Sequence, residues 1–197
     1  MSTIAAIATG NAAGGIGVIR ISGDEATKIA DRVFKPMDGS ALSDLGGYRA
    51  KFGNVIIGGQ PSDNAVALVF KSPKSYTGED VVEISVHGGL LIVQKTLEAV
   101  LDAGAKPAEA GEFTKRAFLN GKMDLTQAES VASLISAQGE AGMKASFNAL
   151  QGSLSDKINS VLQKLLDMSA LMSAWVDYPA LSIPMLSTTS SLSRRPA

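Results

Sequence analysis

Three charged side chains interrupt segments that are otherwise apolar or turn-forming, and they are the ones best placed to bind a ligand. Arg20 lies in the run Ile16-Gly17-Val18-Ile19-Arg20-Ile21, Glu83 in Val81-Val82-Glu83-Ile84-Ser85-Val86, and Lys122 on a turn ahead of a helix. A carboxylate buried in a β-branched strand is costly unless donors surround it. Isolated charges are more often exposed. Spacing alone leaves two readings open: a solvated strand face with a surface lysine, or three groups that converge.

Other candidates carry less. Gly14-Gly15-Ile16-Gly17 invites a phosphate-cradle reading, but its glycines open a strand, whereas a dinucleotide fingerprint opens a helix, so a tight loop is the better reading. Gly121-Lys122 is not a Walker A loop. Met123 follows the lysine where Ser or Thr is needed, and Arg116 stands five positions before Gly121 where Gly is needed. His87, ahead of Gly88-Gly89, is the chain's one histidine; without a cysteine or second histidine it reads as a structural hydrogen bond at a turn. No catalytic group and no metal site are expected, since thiolates are absent altogether.

The elements that must position these residues follow from periodicity. Thr3 to Thr9 and Ile16 to Ile21 read as strands around a Gly/Asn/Ala turn. Ala26, Ile29, Ala30 and Val33 fall at i, i+3, i+4, i+7 and predict a helix. Phe34 to Gly47 reads as loop. Tyr48 to Ile57 and Ala65 to Phe70 read as a strand pair, joined by a turn too long for a two-residue hairpin. Val81 to Val86 is a further strand, and Leu90 to Ala103 a helix stopped by Gly104. Asp124 with Gln127 fits a capping box, opening helical pattern to about Gln151. A last helix is expected from Ser153 to about Trp175. From Pro179 the composition turns to Ser, Thr and Pro without apolar period, which reads as disordered. The fold class is therefore α+β: a mixed α/β unit over 1–120, the start of an all-α domain over 121–178, and a tail over 179–197.

With 197 residues, 45% of them hydrophobic, the chain can bury a core unaided. A net charge of −1 leaves no global electrostatic footprint for nucleic acid. No apolar run reaches membrane-span length and no secretion signal opens the chain, so a cytoplasmic protein with no membrane partner is expected.

Several blocks together resemble the MnmE/TrmE family of tRNA-modification GTPases. They are Thr3 to Thr9 with Gly14 to Gly23, Ser75-Tyr76-Thr77-Gly78-Glu79-Asp80-Val81-Val82-Glu83 with His87-Gly88-Gly89, and Gly111-Glu112-Phe113 through Glu129. Leu150-Gln151-Gly152 and Trp175-Val176-Asp177-Tyr178-Pro179 extend the likeness. It implies a tetrahydrofolate-binding-type α/β N-terminal domain that also forms a homodimer, then a helical domain carrying a GTPase domain. It further implies an FAD-dependent partner protein, tRNA as the substrate of the intact complex, and a reduced folate (5-formyl- or 5,10-methylene-tetrahydrofolate) as one-carbon source for C5 of the wobble uridine. Carried over by position, the folate-contacting residues are Arg20, Glu83 and Lys122. A reduced pterin presents an N–H and an amino group side by side, which suits a carboxylate such as Glu83, while folate's carbonyl and carboxylate oxygens suit the two cations.

The sequence departs from the family's pattern at Asn11-Ala12-Ala13, at Ala110, and beyond Pro179, where no P-loop or C-terminal cysteine motif follows. The expectation is a truncated or frame-shifted product that hydrolyses no GTP alone, with GTP, Mg and K belonging to the absent domain. The alternative is a dimerisation or partner-docking module without ligand.

Overall fold

Strict alternation builds the centre of the molecule. In β2 (Ile16–Ser22) Ile19 and Ile21 point to one face and Val18 and Arg20 to the other; in β6 (Val81–His87) Val82, Ile84 and Val86 oppose Glu83 and Ser85. The computed structural model describes residues 2–10 and 12–177; the 179–197 segment read as disordered lies outside them. The remaining strands are β1 (Ile4–Ile7), β3 (Phe34–Pro36), β4 (Arg49–Ile57), β5 (Gln60–Phe70) and β7 (Lys106–Pro107). They form one sheet in the order β3-β4-β5-β6-β2-β1-β7, antiparallel throughout except for β1 with β7. The α+β class expected from the sequence is the one observed.

Two helices cover one face. In α1 (Ala26–Val33) the residues at i, i+3, i+4 and i+7 are all buried, as their spacing predicts. In α2 (Leu90–Asp102) Val93, Thr96 and Val100 face inward. With Ile19, Ile21, Val82, Ile84, Ala67 and Val69 from the sheet they make the core; each fully buried Ile or Val is worth about 1.5–3 kcal/mol. No helix among α1 and α2 covers the other face, where Arg20 and Glu83 lie.

Three local expectations are corrected, and one strand had no expectation. The β4–β5 connection is a tight hairpin after all: Ile57 pairs with Gln60, and Gly58 and Gly59 take φ of 58° and 79°, the positive angles a two-residue turn needs. Residues 60–64 look loop-like because they hold Pro61 and four polar residues, yet here β5 is paired only with β4. Its ladder to β6 begins at Val66, so proline's missing N–H is tolerated there. Second, Phe34–Pro36 is a strand within the supposed loop, anchored by a fully buried Phe34. The two-residue β7 has too little sequence to show a period. Third, the helix expected from Asp124 to Gln151 is two. α4 (Leu125–Ser136) ends where Ala137 turns extended, and α5 (Glu140–Leu150) restarts after Gly139.

Close approach fixes Gly53 of β4. A Cβ there would sit 2.3 Å from the Lys35 carbonyl oxygen and 2.7 Å from Phe34 Cζ, and the first of these is backbone. Gly53→Ala is therefore expected to destabilise by about 1–3 kcal/mol through overpacking, read as a lower urea midpoint at unchanged slope. An unchanged midpoint would mean that β3 does not rest on β4 as described.

After the sheet come α3 (Glu112–Leu119), α4, α5 and α6 (Ser153–Asp177). The capping box at α4 forms as its sequence predicts: Asp124 accepts from the Gln127 backbone N–H, and the Gln127 side chain accepts from that of Asp124, both at 2.9 Å. α6 has no buried residue, and Leu162, Leu165, Met172 and Trp175 are exposed along it. No helix among the described residues is long and apolar enough to cross a membrane.

Candidate functional site

The antiparallel register of β2 against β6 sets Arg20 directly opposite Glu83. Their side chains meet on the face that α1 and α2 leave open, with Arg20 Nε donating to Glu83 Oε1 at 2.7 Å. Both are partly exposed, 31% for the arginine and 22% for the glutamate. Arg20 engages Glu83 side-on. Among the described residues, neither terminal nitrogen of its guanidinium and no second oxygen of Glu83 has a hydrogen-bond partner. The pair thus retains several donors and one acceptor for a ligand.

Two aromatic rings hold the guanidinium. Tyr76 comes from the loop between β5 and β6, Phe113 from the first turn of α3. Their centroids lie 5.8 Å and 5.6 Å from Arg20 Cζ, within cation–π range. The Tyr76 hydroxyl lies 2.9 Å from Thr114 Oγ1, joining loop to helix.

A buried polar network underlies both. Arg116 is 4% exposed. Its Nη1 donates to the two oxygens of Glu79 at 3.1 Å each, and its Nη2 to Glu112 Oε1 at 2.8 Å. Ser22 at the end of β2 donates to Glu79 at 2.7 Å, with the Thr77 hydroxyl also 2.7 Å from Ser22. Every buried charge here is paired and hydrogen-bonded, as the cost of burial requires.

Lys122 reaches the same loop at a different point. It follows the Gly121 turn after α3, and its Nζ donates to the Pro73 carbonyl at 3.0 Å; neighbouring Asn120 donates to the Thr77 carbonyl at 2.7 Å. Lys122 makes no hydrogen bond or ion pair with Arg20 or Glu83. Of the three residues singled out from sequence, two are therefore in contact and the third braces the loop beside them.

His87 is the structural tie its position suggests: its Nδ1 lies 2.6 Å from Asp63 Oδ1, and its backbone N–H donates to Asp63 Oδ2 at 2.8 Å. The first glycine cluster is a loop closed on backbone. Gly14 N–H donates to the Gly88 carbonyl at 3.0 Å and is thereby occupied. No group of three or more acidic, His or Cys side chains is placed to hold a metal among the described residues.

Tyr76, Glu79, Phe113 and Arg116 escape a reading by residue type. Only the Glu112–Arg116 spacing of i, i+4 hints at the network.

The Glu112 carboxyl is held below its ordinary value of 4.5, first by the Glu109 backbone N–H and then by Arg116. A depressed carboxylate stabilises the fold above its unfolded value and loses that contribution as pH falls through the folded one. Glu112→Gln should therefore melt below the wild type near neutrality, and the gap should close as pH drops from about 4.5 downward. Melting curves from about pH 7 to pH 3 test this; a constant gap would sink it.

A mixed sheet with helices on one face, an ion pair on the other and a helical segment behind defines the class: an α+β domain joined to helices. Comparison with known proteins is more particular. The family model described as GTP-binding protein TrmE N-terminus matches residues 3–122, and that of the MnmE helical domain matches 125–195. The second match runs past Pro179, beyond the motifs that carry the likeness by residue. The tRNA modification GTPase MnmE of Symbiobacterium thermophilum is 48% identical over 182 residues, covering 92% of this chain and 40% of the relative. Its namesake from Clostridioides difficile is 45% identical over 177 residues, covering 90% and 39%, and that from Geobacter sulfurreducens 44% over 179, again 90% and 39%. The chain belongs to the MnmE/TrmE family of tRNA modification GTPases and carries its N-terminal and helical domains. It spans about 40% of the length of the curated relatives it matches.

Proposed function

We propose that this chain binds a reduced folate, 5-formyl- or 5,10-methylene-tetrahydrofolate, at the Arg20–Glu83 pair, and that it forms a homodimer. In this reading it is the folate-binding portion of an enzyme that modifies C5 of the wobble uridine in tRNA, together with an FAD-dependent partner protein. GTP hydrolysis with Mg and K belongs to a GTPase domain that the described residues do not include.

The observation that carries the reading is the unfilled capacity of the pair. Glu83 has an oxygen to spare for the adjacent N–H and amino donors of a pterin, and Arg20 has its two terminal nitrogens for ligand oxygens. Tyr76 and Phe113 add planar apolar surface beside them. Lys122, which follows α3 and braces the β5–β6 loop through Pro73, is the third proposed contact. The folate, when bound, supplies the one-carbon unit; the chain's own residues bind and orient it. No nucleophile or acid–base pair at the site suggests that the chain performs the transfer alone.

A second reading is a dimerisation or docking module without ligand. It is favoured by Phe52 and Val66, cross-strand partners on the face opposite α1 and α2 that remain 56% and 41% exposed. The same pair is the surface on which a homodimer would rest in the first reading. Calorimetric titration of the purified chain with 5-formyltetrahydrofolate separates the two. Saturable binding supports the folate site, and a folded dimer that binds nothing supports the ligand-free module.

A further inference from the structure

We propose that Arg116, buried and out of line with the ligand-facing groups, is the positioning residue of this site. The proposal rests on the folate reading above for its binding arm only. Arg116 grips two carboxylates, and each belongs to a segment that delivers one aromatic ring. Glu79 lies three residues after Tyr76 in the loop, and Glu112 immediately precedes Phe113 in α3. One guanidinium therefore sets the spacing between the two rings that flank Arg20.

The geometry gives this spacing a consequence. Arg20 is tethered to Glu83 by Nε alone. A single hydrogen bond leaves a guanidinium free to rotate about it, and the rings of Tyr76 and Phe113 are what restrict that rotation. With the rings in place, both Nη atoms stay turned away from Glu83 and open for a ligand. If the loop and α3 drift apart, Arg20 can swing to pair with Glu83 through both ends of its fork, which fills the carboxylate oxygen meant for ligand. The Tyr76–Thr114 hydrogen bond is a second tie across the same gap, nearer the surface.

Lysine at position 116 keeps the charge but cannot bridge two carboxylates with a planar fork. Arg116→Lys in the full chain is therefore expected to weaken 5-formyltetrahydrofolate binding at least about tenfold. It should also move the Arg20 Nε–H proton signal, which two neighbouring rings displace in the wild type and which Arg20→Lys identifies by its loss. A lower melting temperature with unchanged affinity and an unchanged Arg20 signal would overturn the proposal, because Arg116 would then be structural only. Glu112→Gln, which loosens only the α3 side of the grip, guards against an Arg116 variant that fails to fold. It should move the same signal and weaken binding a few-fold, and no change in both would overturn the proposal equally. If the wild type binds no folate, the folate reading fails, while the Arg20 signal still decides whether Arg116 positions the rings.

Discussion

Glu83→Ala is expected to abolish measurable binding of 5-formyltetrahydrofolate, a loss of roughly a hundredfold or more. A carboxylate facing two adjacent ligand donors makes charge-assisted hydrogen bonds worth about 1.5–3 kcal/mol each. Removing it forfeits both, and it also releases Arg20 from the side chain that tethers its Nε. The fold should hardly notice. The Glu83 side chain is 22% exposed and faces away from the α1–α2 core, and a half-exposed ion pair contributes at most about 1 kcal/mol. Glu83→Gln is the sharper variant: it keeps the shape, but turns half of the acceptor into a donor aimed at a ligand donor, and should lose nearly as much. Titration calorimetry beside a melting curve reads both quantities. Retained affinity in Glu83→Ala would place any folate elsewhere on the molecule.

The largest effect on stability is expected at Arg116. Arg116→Met leaves Glu79, whose side chain is 8% exposed, with Ser22 as its remaining side-chain donor and a buried negative charge to neutralise. Breaking a buried pair from one side costs about 3–5 kcal/mol, which in a chain of this size lowers the melting temperature by about 10 °C. The double variant Arg116→Met with Glu79→Leu removes both charges and should regain part of that loss, because two apolar side chains can replace a buried pair at little cost. A double variant no more stable than the single one would show that the penalty comes from lost packing around Arg116 and not from the stranded carboxylate.

What could be read from the sequence was what depends on near neighbours. β2, β6, α1 and the Asp124–Gln127 box all show as patterns within a few residues, and all form where those patterns put them. The Gly58-Gly59 hairpin was obscured by Pro61, whose effect depends on whether β6 pairs at that point, and no local pattern tells that. The site divides the same way. Arg20 and Glu83 stand out because charge interrupts apolar strands, but their contact needs the β2–β6 register and spans 63 residues. Arg116 shows its helical neighbour Glu112, whereas Glu79 lies 37 residues away and becomes its partner only when the loop folds down onto α3. Lys122 stands out as a charge on the turn ahead of a helix, but its bond to Pro73 spans 49 residues and no local pattern shows it.

α6 is a straight-through run of 25 residues with none of them buried, and it leaves α5 at Gly152, which adopts φ of +88°. At 1.5 Å per residue it is a rod about 37 Å long. Such a rod has mechanical advantage: a rotation of roughly 10° at Gly152 carries the far end through about 6 Å. Whatever is attached beyond Asp177 feels small torsions near Gly152 as large displacements, and pushes at that end return to α5 as torque. Through the Gln127–Leu150 hydrogen bond, that torque bears on the first turn of α4, directly after the turn that holds Lys122.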